Sequence, residues 1–174
     1  MEPQDTPMAT LIAPAGCESP ALSARAPWTA IAGVGGALVD LAVAAAYWSQ
    51  FHVEAIRIPQ GIAAWVIGRG AFDGGAATAL FGLLLYCGLV CAACVLYRAA
   101  ARRWDVLARQ PVLCGALYGV LAYGAIFWVI APLLTGSGGS TKPGWLGLCV
   151  VTYVLAIGIP AALAARATLA TGRG

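Results

Sequence analysis

The chain has 174 residues, of which 61% are apolar and only 10% are charged, and its mean hydropathy is +0.84. About a quarter of the residues in soluble domains are charged, so this composition excludes a soluble globular protein. The net charge of +3 is not gathered into a basic cluster with interleaved aromatic residues, which excludes nucleic acid as a partner. The composition predicts an integral membrane protein whose first partner is the lipid bilayer.

The two ends of the chain differ from the rest. Residues 1–24 are rich in Pro, Ala and Ser and carry three acidic residues. Such a segment cannot bury enough apolar surface to offset its conformational entropy, so it is predicted to be a disordered tail. It also lacks the positively charged start of a signal peptide. Residues 169–174 are predicted to be a short cytoplasmic tail.

Four apolar runs within residues 25–168 are long enough to cross a bilayer, which takes roughly 20 residues at about 1.5 Å rise each. They cover residues 28–48, 76–97, 111–134 and 145–165. An unpaired backbone amide costs several kcal/mol in lipid, and none of the runs alternates like a barrel strand, so each run must be helical. The predicted fold is an all-α membrane protein with four transmembrane helices in a compact bundle.

The stretch between the first two runs, "RIPQGIAAWVIGRGAFDGG", is too apolar for an ordinary loop and too short to cross. Proline is favoured in the first helical turn, so Pro59 predicts a helix over residues 59–69. At about 16 Å this helix spans half a bilayer, and it either lies along the interface or dips in and returns. Asp73 is predicted to cap the following span, with Arg69 placed to pair with it or with a lipid phosphate. A dip that brings Arg69 towards Asp40, or an anion site at the glycine-rich turn, are the alternatives.

Asp40 is the only acidic residue inside a predicted span. A charged group there costs about 2.5–3.5 kcal/mol, so Asp40 is expected to face protein or water. Counted from Trp48, Asp40 lies about 12 Å below the membrane interface. Counted from the start of the second span, Tyr86 lies at the same depth within one helical turn. Tyr86 is therefore predicted to hydrogen-bond the carboxyl. A structural role for the pair is the leading interpretation, and a proton or cation pathway, or contact with a substrate or lipid, are the alternatives.

Small residues recur where helices are expected to pack closely. They include Gly33 and Gly36 on the face of Asp40, Gly82 on the face of Tyr86, and the GxxxG pair Gly115 and Gly119 in the third span. The motif serves packing within one chain and dimerisation equally, so a homo-oligomer or a membrane-protein partner stays open.

Three cysteines, Cys87, Cys91 and Cys94, share one face of the second span. Paired intramembrane thiols suit a soft metal or thiol redox chemistry. Cysteine is also a small apolar residue that is readily buried, and this is the favoured interpretation. No catalytic residue, metal site or cofactor is predicted.

Several segments, "AGVGGALVDLAVAAAYW", "QGIAAWVIGRGAFDGG", "ALFGLLLY" and "PVLCGALYGVLAYG", resemble a family of small, uncharacterised bacterial inner-membrane proteins. The most specific piece is the GRxAFxGG-type segment before the second span. The resemblance implies a bacterial cytoplasmic-membrane location and no particular activity. It also implies histidine where this chain has Tyr86, so that an Asp and His pair able to relay protons is replaced here by Asp40 and Tyr86.

The leading functional prediction is a structural or accessory membrane protein without enzymatic activity. The second is a small proton, cation or solute transporter that uses Asp40. The third is a soft-metal or thiol-redox membrane protein that uses Cys87, Cys91 and Cys94.

Orientation can be tested by labelling. Of the 10 Lys and Arg residues, only Arg57, Arg69 and Lys142 fall between spans one and two or between spans three and four. The remaining seven lie on the opposite side, which predicts cytoplasmic N and C termini. In a cysteine-free chain, a cysteine at Gly138 should react with an impermeant thiol reagent from outside, and one at Arg103 should not. Reaction at Arg103 alone would reverse the predicted topology.

Overall fold

A computed structural model describes residues 26–136 and 142–170. The predicted N-terminal tail lies outside the described residues, as does most of the predicted C-terminal tail. Four helices are long and apolar enough to cross a membrane, and we call them spans one to four: Trp28–Ser49, Gly75–Arg103, Pro111–Thr135 and Pro143–Thr168. The described part of the chain contains no strand. The predicted all-α class with four apolar helices is confirmed.

The other elements are short. The helix predicted over residues 59–69 is present as Arg57–Ile67, which we call the short helix, and a 3-10 turn, Arg69–Phe72, follows it. A five-residue helix, Asp105–Arg109, connects spans two and three. The short helix therefore begins two residues before the predicted start and ends in a separate turn.

Spans three and four each contain a stretch of π-helix, Ala125–Ile130 and Tyr153–Gly158. Each stretch ends two residues before a proline, Pro132 in span three and Pro160 in span four. Proline has no amide to donate to the preceding turn, and π-helical adjustment is one way a membrane helix satisfies the carbonyls that are left over. This local change in helix type was not predicted from the sequence.

The predicted packing glycines lie at contacts within this one chain. A Cβ built on Gly119 would come 2.7 Å from the Tyr153 carbonyl oxygen, and one on Gly115 would come 2.8 Å from the Gly158 carbonyl oxygen. Spans three and four therefore approach backbone to backbone through the GxxxG pair. Gly33 packs on Cys91 of span two in the same way.

Gly36 has a related role on span four. A Cβ at Gly36 would lie 2.5 Å from the carbonyl oxygen of Ala156. In an α-helix this carbonyl would accept from residue 160, which is a proline without an N–H. The glycine therefore lets span one approach the part of span four that Pro160 modifies.

The short helix packs against the beginning of span two. Gly82 has no room for a Cβ because the Pro59 carbonyl of the short helix occupies that space. Gly82 lies seven residues into span two, so the short helix reaches about 10 Å along it. Gln60, only 3% exposed, donates from Nε2 to the Gly75 carbonyl at 3.0 Å. The short helix is thus part of the bundle at one end, which we call the short-helix end.

The predicted cap by Asp73 is wrong. Span two begins at Gly75, the residue before it is Gly74, and no side chain caps the helix. Gly75 has φ +58°, a conformation that glycine adopts without cost. Thr78, in the first turn of span two, instead donates to the Ala71 carbonyl at 2.6 Å and so ties the 3-10 turn to the span.

The half of the bundle away from the short helix is closed by packing. Cys94, Tyr97, Ala101, Ala161 and Ala165 are each at most 2% exposed there. Two tyrosine hydroxyls complete this half: Tyr118 donates to the Ala93 carbonyl at 2.6 Å, and Tyr97 donates to the Leu107 carbonyl at 3.2 Å. The bundle is therefore solid at this end.

The contact between Gly82 and Pro59 predicts a stability difference between two alanine substitutions in one helix. Gly82→Ala should lower the free energy of unfolding by about 1–3 kcal/mol, because the new methyl must push the short helix away. Gly88→Ala is the matched control, since nothing lies within 4 Å of a Cβ at Gly88. Thermal unfolding in detergent measures both. Equal melting temperatures for the two variants would contradict the packing described.

Candidate functional site

Three polar side chains from three spans meet in the middle of the bundle. The Tyr86 hydroxyl of span two donates to Oδ2 of Asp40 in span one at 2.5 Å. The hydroxyl oxygens of Tyr86 and Tyr153 lie 2.6 Å apart. Since Tyr86 uses its only hydrogen on Asp40, Tyr153 of span four is the donor to Tyr86. The predicted contact between Asp40 and Tyr86 is confirmed, and the site is a chain of three groups, which we call the Asp40 triad.

Both tyrosines of the triad are completely buried, with 0% of the side chain exposed. Tyr153 is the first residue of the π-helical stretch in span four. Its ring packs edge-on against Tyr123, with centroids 5.4 Å apart, and against Phe127, with centroids 6.0 Å apart. Rotation of Tyr153 is restricted on two sides, so its hydroxyl is held in line with Tyr86.

Tyr153 was missed in the sequence, although a signal for it exists. Asp40 lies eight residues from Trp48, and Tyr153 lies eight residues from Trp145. The two tryptophan rings contact each other, with centroids 5.4 Å apart, so they mark the same level in spans one and four. Residue counts from this pair place Asp40 and Tyr153 at equal depth, about 12 Å below it.

A cavity of about 700 Å³ runs from the short-helix end to the Asp40 triad, and we call it the Asp40 cavity. Its walls come from all four spans and the short helix. The lining residues are Asp40, Leu41, Ala44, Trp48, Arg57, Ile58, Gly61, Ile62, Ala64, Trp65, Arg69, Tyr86, Phe127, Ala131, Thr135, Trp145 and Cys149. A cavity of this size suits a small organic molecule, since ligand pockets commonly measure about 300–1,000 Å³.

Asp40 is partly exposed and lines this cavity. Only its Oδ2 is taken by Tyr86, and no other described residue hydrogen-bonds the carboxyl. Its second oxygen, Oδ1, is therefore the acceptor that the fold leaves for a proton, a cation or a ligand donor. The cavity thus has a polar end that is held in place by the triad.

The rest of the cavity wall is mainly apolar and aromatic. Trp65 of the short helix packs edge-on against Phe127 of span three, with centroids 5.8 Å apart. Trp48 and Trp145 also line the cavity and meet edge to face at the rim, where Tyr47 and Phe51 join them. These rings give the cavity stiff walls that can bury the apolar body of a ligand.

Cationic side chains surround the short-helix end of the cavity. Arg57 and Arg69 line it, one near each end of the short helix. Lys142, just before span four, places its ammonium 4.1 Å from the centroid of Phe51 and 5.1 Å from that of Trp48. This is a cation–π contact that holds a third positive charge at the rim.

The predicted polar site residues separate into two groups. The structure brings Asp40, Tyr86 and Arg69 to one cavity. Asp73 does not line that cavity, and within the described residues no ion pair joins Arg69 to Asp73 or to Asp40. Arg69 and Asp40 therefore line the same cavity without forming a direct ion pair.

The cysteines of span two are used in packing. Cys91 lies against Gly33, where its sulfur would be 2.7 Å from a Cβ at that glycine. Cys94 is 1% exposed in the core. Within residues 26–136 and 142–170, no group of three or more His, Cys, Asp or Glu side chains is arranged to hold a metal ion.

No model of a protein family, no curated protein and no solved structure matches this chain. The resemblance to small bacterial inner-membrane proteins through the GRxAFxGG-type segment stays a prediction.

The hydrogen bonds of the triad can be tested by removing one hydroxyl at a time. Tyr86→Phe should reduce stability by about 0.6–1.7 kcal/mol, between the average and the largest value for interhelical hydrogen bonds in a membrane protein, because Asp40 and Tyr153 both lose a partner. Tyr153→Phe should cost less, since the bond between Tyr86 and Asp40 remains. Tyr47→Phe is the control, because its hydroxyl has no hydrogen bond among the described residues. Unfolding in detergent should rank the losses Tyr86, Tyr153, Tyr47, and a reversed order would contradict the triad.

Proposed function

We propose that this protein is a small membrane transporter that binds a solute in the Asp40 cavity and couples its movement to protonation of Asp40. The observation that carries the proposal is the geometry of the cavity. It is open at the short-helix end, it ends on an ionisable side chain in the middle of a membrane span, and close packing closes the bundle beyond it.

A cavity that is open on one side and closed on the other is one of the two states that alternating access requires. Asp40 is at the bottom of the open side, where Oδ1 can exchange a proton or contact a solute. Charged groups at this depth are costly and in known membrane proteins mark ion, proton or substrate pathways. Burial of a carboxyl in a purely structural bundle would not require a cavity that leads to it.

Two helices around the cavity contain irregular segments that suit a conformational change between transport states. The two π-helical stretches contribute Phe127 to the cavity wall and Tyr153 to the triad. Such stretches occur frequently at functional sites, because the helix can change its local register there. Spans three and four are therefore the elements that we propose to move relative to span one.

The predicted location and orientation belong to the same proposal. With cytoplasmic termini in a bacterial inner membrane, the cavity opens on the periplasmic side. The excess of basic residues on the other side of the bundle supports this orientation.

A structural or accessory role is the competing interpretation, and one observation favours it. Tyr86 and Tyr153 are fully buried and tie spans one, two and four together through Asp40. A polar cluster of this kind also serves to fix helix packing. The two functions differ in whether Asp40 takes part in flux.

Proton flux through reconstituted protein separates these interpretations. In proteoliposomes with an enclosed pH dye, and with a mixture of membrane-impermeant sulfonates, quaternary amines and sugars added outside, the native chain should dissipate an imposed pH gradient faster than protein-free vesicles in the same mixture do. Asp40→Asn should lower this rate to the level of empty vesicles, because the amide accepts the Tyr86 hydrogen bond but carries no exchangeable acid proton. Asp73→Asn, outside the cavity, should leave the rate unchanged.

The folding of Asp40→Asn is checked by its melting temperature and elution volume. Equal flux for the native chain and a well-folded Asp40→Asn variant would leave the accessory role as the better account.

A further inference from the structure

We infer that the ligand of the Asp40 cavity is an amphipathic anion, an organic carboxylate, sulfonate or phosphate with an apolar body. This inference rests on the proposed function and specifies the class of solute. Its anionic group would bind at Arg57 and Arg69, and its apolar body would lie between the tryptophans. The charge distribution, the free donors and the wall chemistry of the cavity each support it.

The charge along the cavity is uneven. Arg57 and Arg69 line the short-helix end, and Asp40 is the single acidic residue in the lining. Lys142 adds a positive charge at the rim, where it lies over Trp48. A solute that enters from this end meets cations first, and a cleft with walls of low dielectric strengthens their field. Anions are concentrated at such an entrance and cations are repelled.

The two arginines retain their hydrogen-bonding capacity. Among the described residues neither has an ion-pair partner, and the closest ring to Arg57 is Phe72, with its centroid 6.0 Å from Cζ. A guanidinium has five N–H donors in a planar fork that matches a carboxylate or a phosphate. Arg57 begins the short helix and Arg69 begins the 3-10 turn after it, so the two arginines reach the entrance from different elements.

The walls between the entrance and Asp40 select against a small hydrated anion. Leu41, Ile62, Trp65, Phe127 and Trp145 face the cavity over this distance. A chloride or free phosphate would have to lose its hydration shell there without replacement partners. An apolar body fills the same space favourably, at roughly 25 cal/mol for each Å² of apolar surface removed from water.

Asp40 fixes the orientation of such a ligand. An anionic group is repelled by an ionised carboxyl, so the charged end stays at the arginines and the apolar end points towards the triad. Oδ1 of Asp40 is then left to accept a proton. Proton transfer to Asp40 removes the repulsion, and this provides the coupling between anion movement and the proton.

The charge preference can be measured without knowing the natural ligand. Ala64 lines the cavity between the two arginines, whereas Val66, 60% exposed on the same helix, does not. Ala64→Cys and Val66→Cys are compared in a chain whose six native cysteines are alanine, in nanodiscs of zwitterionic lipid. Each reacts with a sulfonate-bearing and a trimethylammonium-bearing methanethiosulfonate. The ratio of the two rates cancels any change in the reactivity of the thiol itself.

At Ala64→Cys the sulfonate reagent should react about fivefold faster than the trimethylammonium reagent, after each rate is divided by that of a free thiol in water. The ratio should fall towards one in Arg57→Gln and Arg69→Gln and at high salt, and it should be smaller at Val66→Cys. If the cysteine-free chain does not fold, Ala64→Cys and Val66→Cys are made in the native chain, and the extent of labelling at each position is measured by peptide mass spectrometry.

Failure of the inference and failure of the proposed function give different results. If the ratios at Ala64→Cys and Val66→Cys are equal, or if the cationic reagent reacts faster, the inference of an anionic ligand is wrong. The cavity is still open to solvent in that case. If neither reagent reaches Ala64→Cys while Val66→Cys reacts, the cavity is not open to solvent, and the proposed transport function fails with it.

Two sources can supply an amphipathic anion, a soluble organic acid and a membrane lipid. Two additions separate them: naphthalene sulfonate in the buffer and phosphatidylglycerol in the nanodisc. Slower labelling of Ala64→Cys with the first indicates a soluble solute, and slower labelling with the second indicates a lipid. If neither addition slows labelling, the cavity does not bind an amphipathic anion and the inference is wrong.

Discussion

A carboxyl group in the middle of a membrane span needs polar partners, and the arrangement of this bundle follows from how Asp40 obtains them. Tyr86 donates to Asp40, and Tyr153 donates to Tyr86, so spans one, two and four must meet at one level. Glycine on the face of Asp40 makes that possible, because Gly33 and Gly36 let spans two and four come close. The remaining oxygen of Asp40 is left facing a cavity. Asp40 therefore accounts both for how the spans pack and for the position of the candidate functional site.

Two prolines shape the part of the bundle that encloses this cavity. Pro132 and Pro160 each follow a π-helical stretch by two residues. In span four that stretch begins with Tyr153, and in span three it includes Phe127, which contacts both Tyr153 and Trp65. Because Phe127 contacts Tyr153, a change of register in either span would move both the triad at the bottom of the cavity and the aromatic wall beside it. The short helix closes the remaining side, anchored on Gly82 by its own backbone.

Much of this could be predicted from the sequence, because residue counts convert directly into depth in a helix that is long and apolar enough to cross a membrane. The four spans and the pairing of Asp40 with Tyr86 follow from that relation. The same count from Trp145 places Tyr153 at the depth of Asp40, but only if Trp145 is known to lie beside Trp48. The cavity could not be predicted, since it depends on how the spans are rotated and on where the short helix docks. The cap by Asp73 was wrong because the glycine turn at Gly75 and the hydroxyl of Thr78 complete the junction without it.

If Asp40 takes part in transport, water must reach its carboxyl from one side of the membrane, and chemical modification of that carboxyl measures this access. A water-soluble carbodiimide with a small amine is added to one face of oriented proteoliposomes, and the modified residue is located by peptide mass spectrometry. Modification of Asp40 from the short-helix side, and its absence from the other side, is the predicted result. No modification of Asp40 from either side, while the exposed Asp73 reacts, would show that the carboxyl is a sealed structural group and would contradict the account.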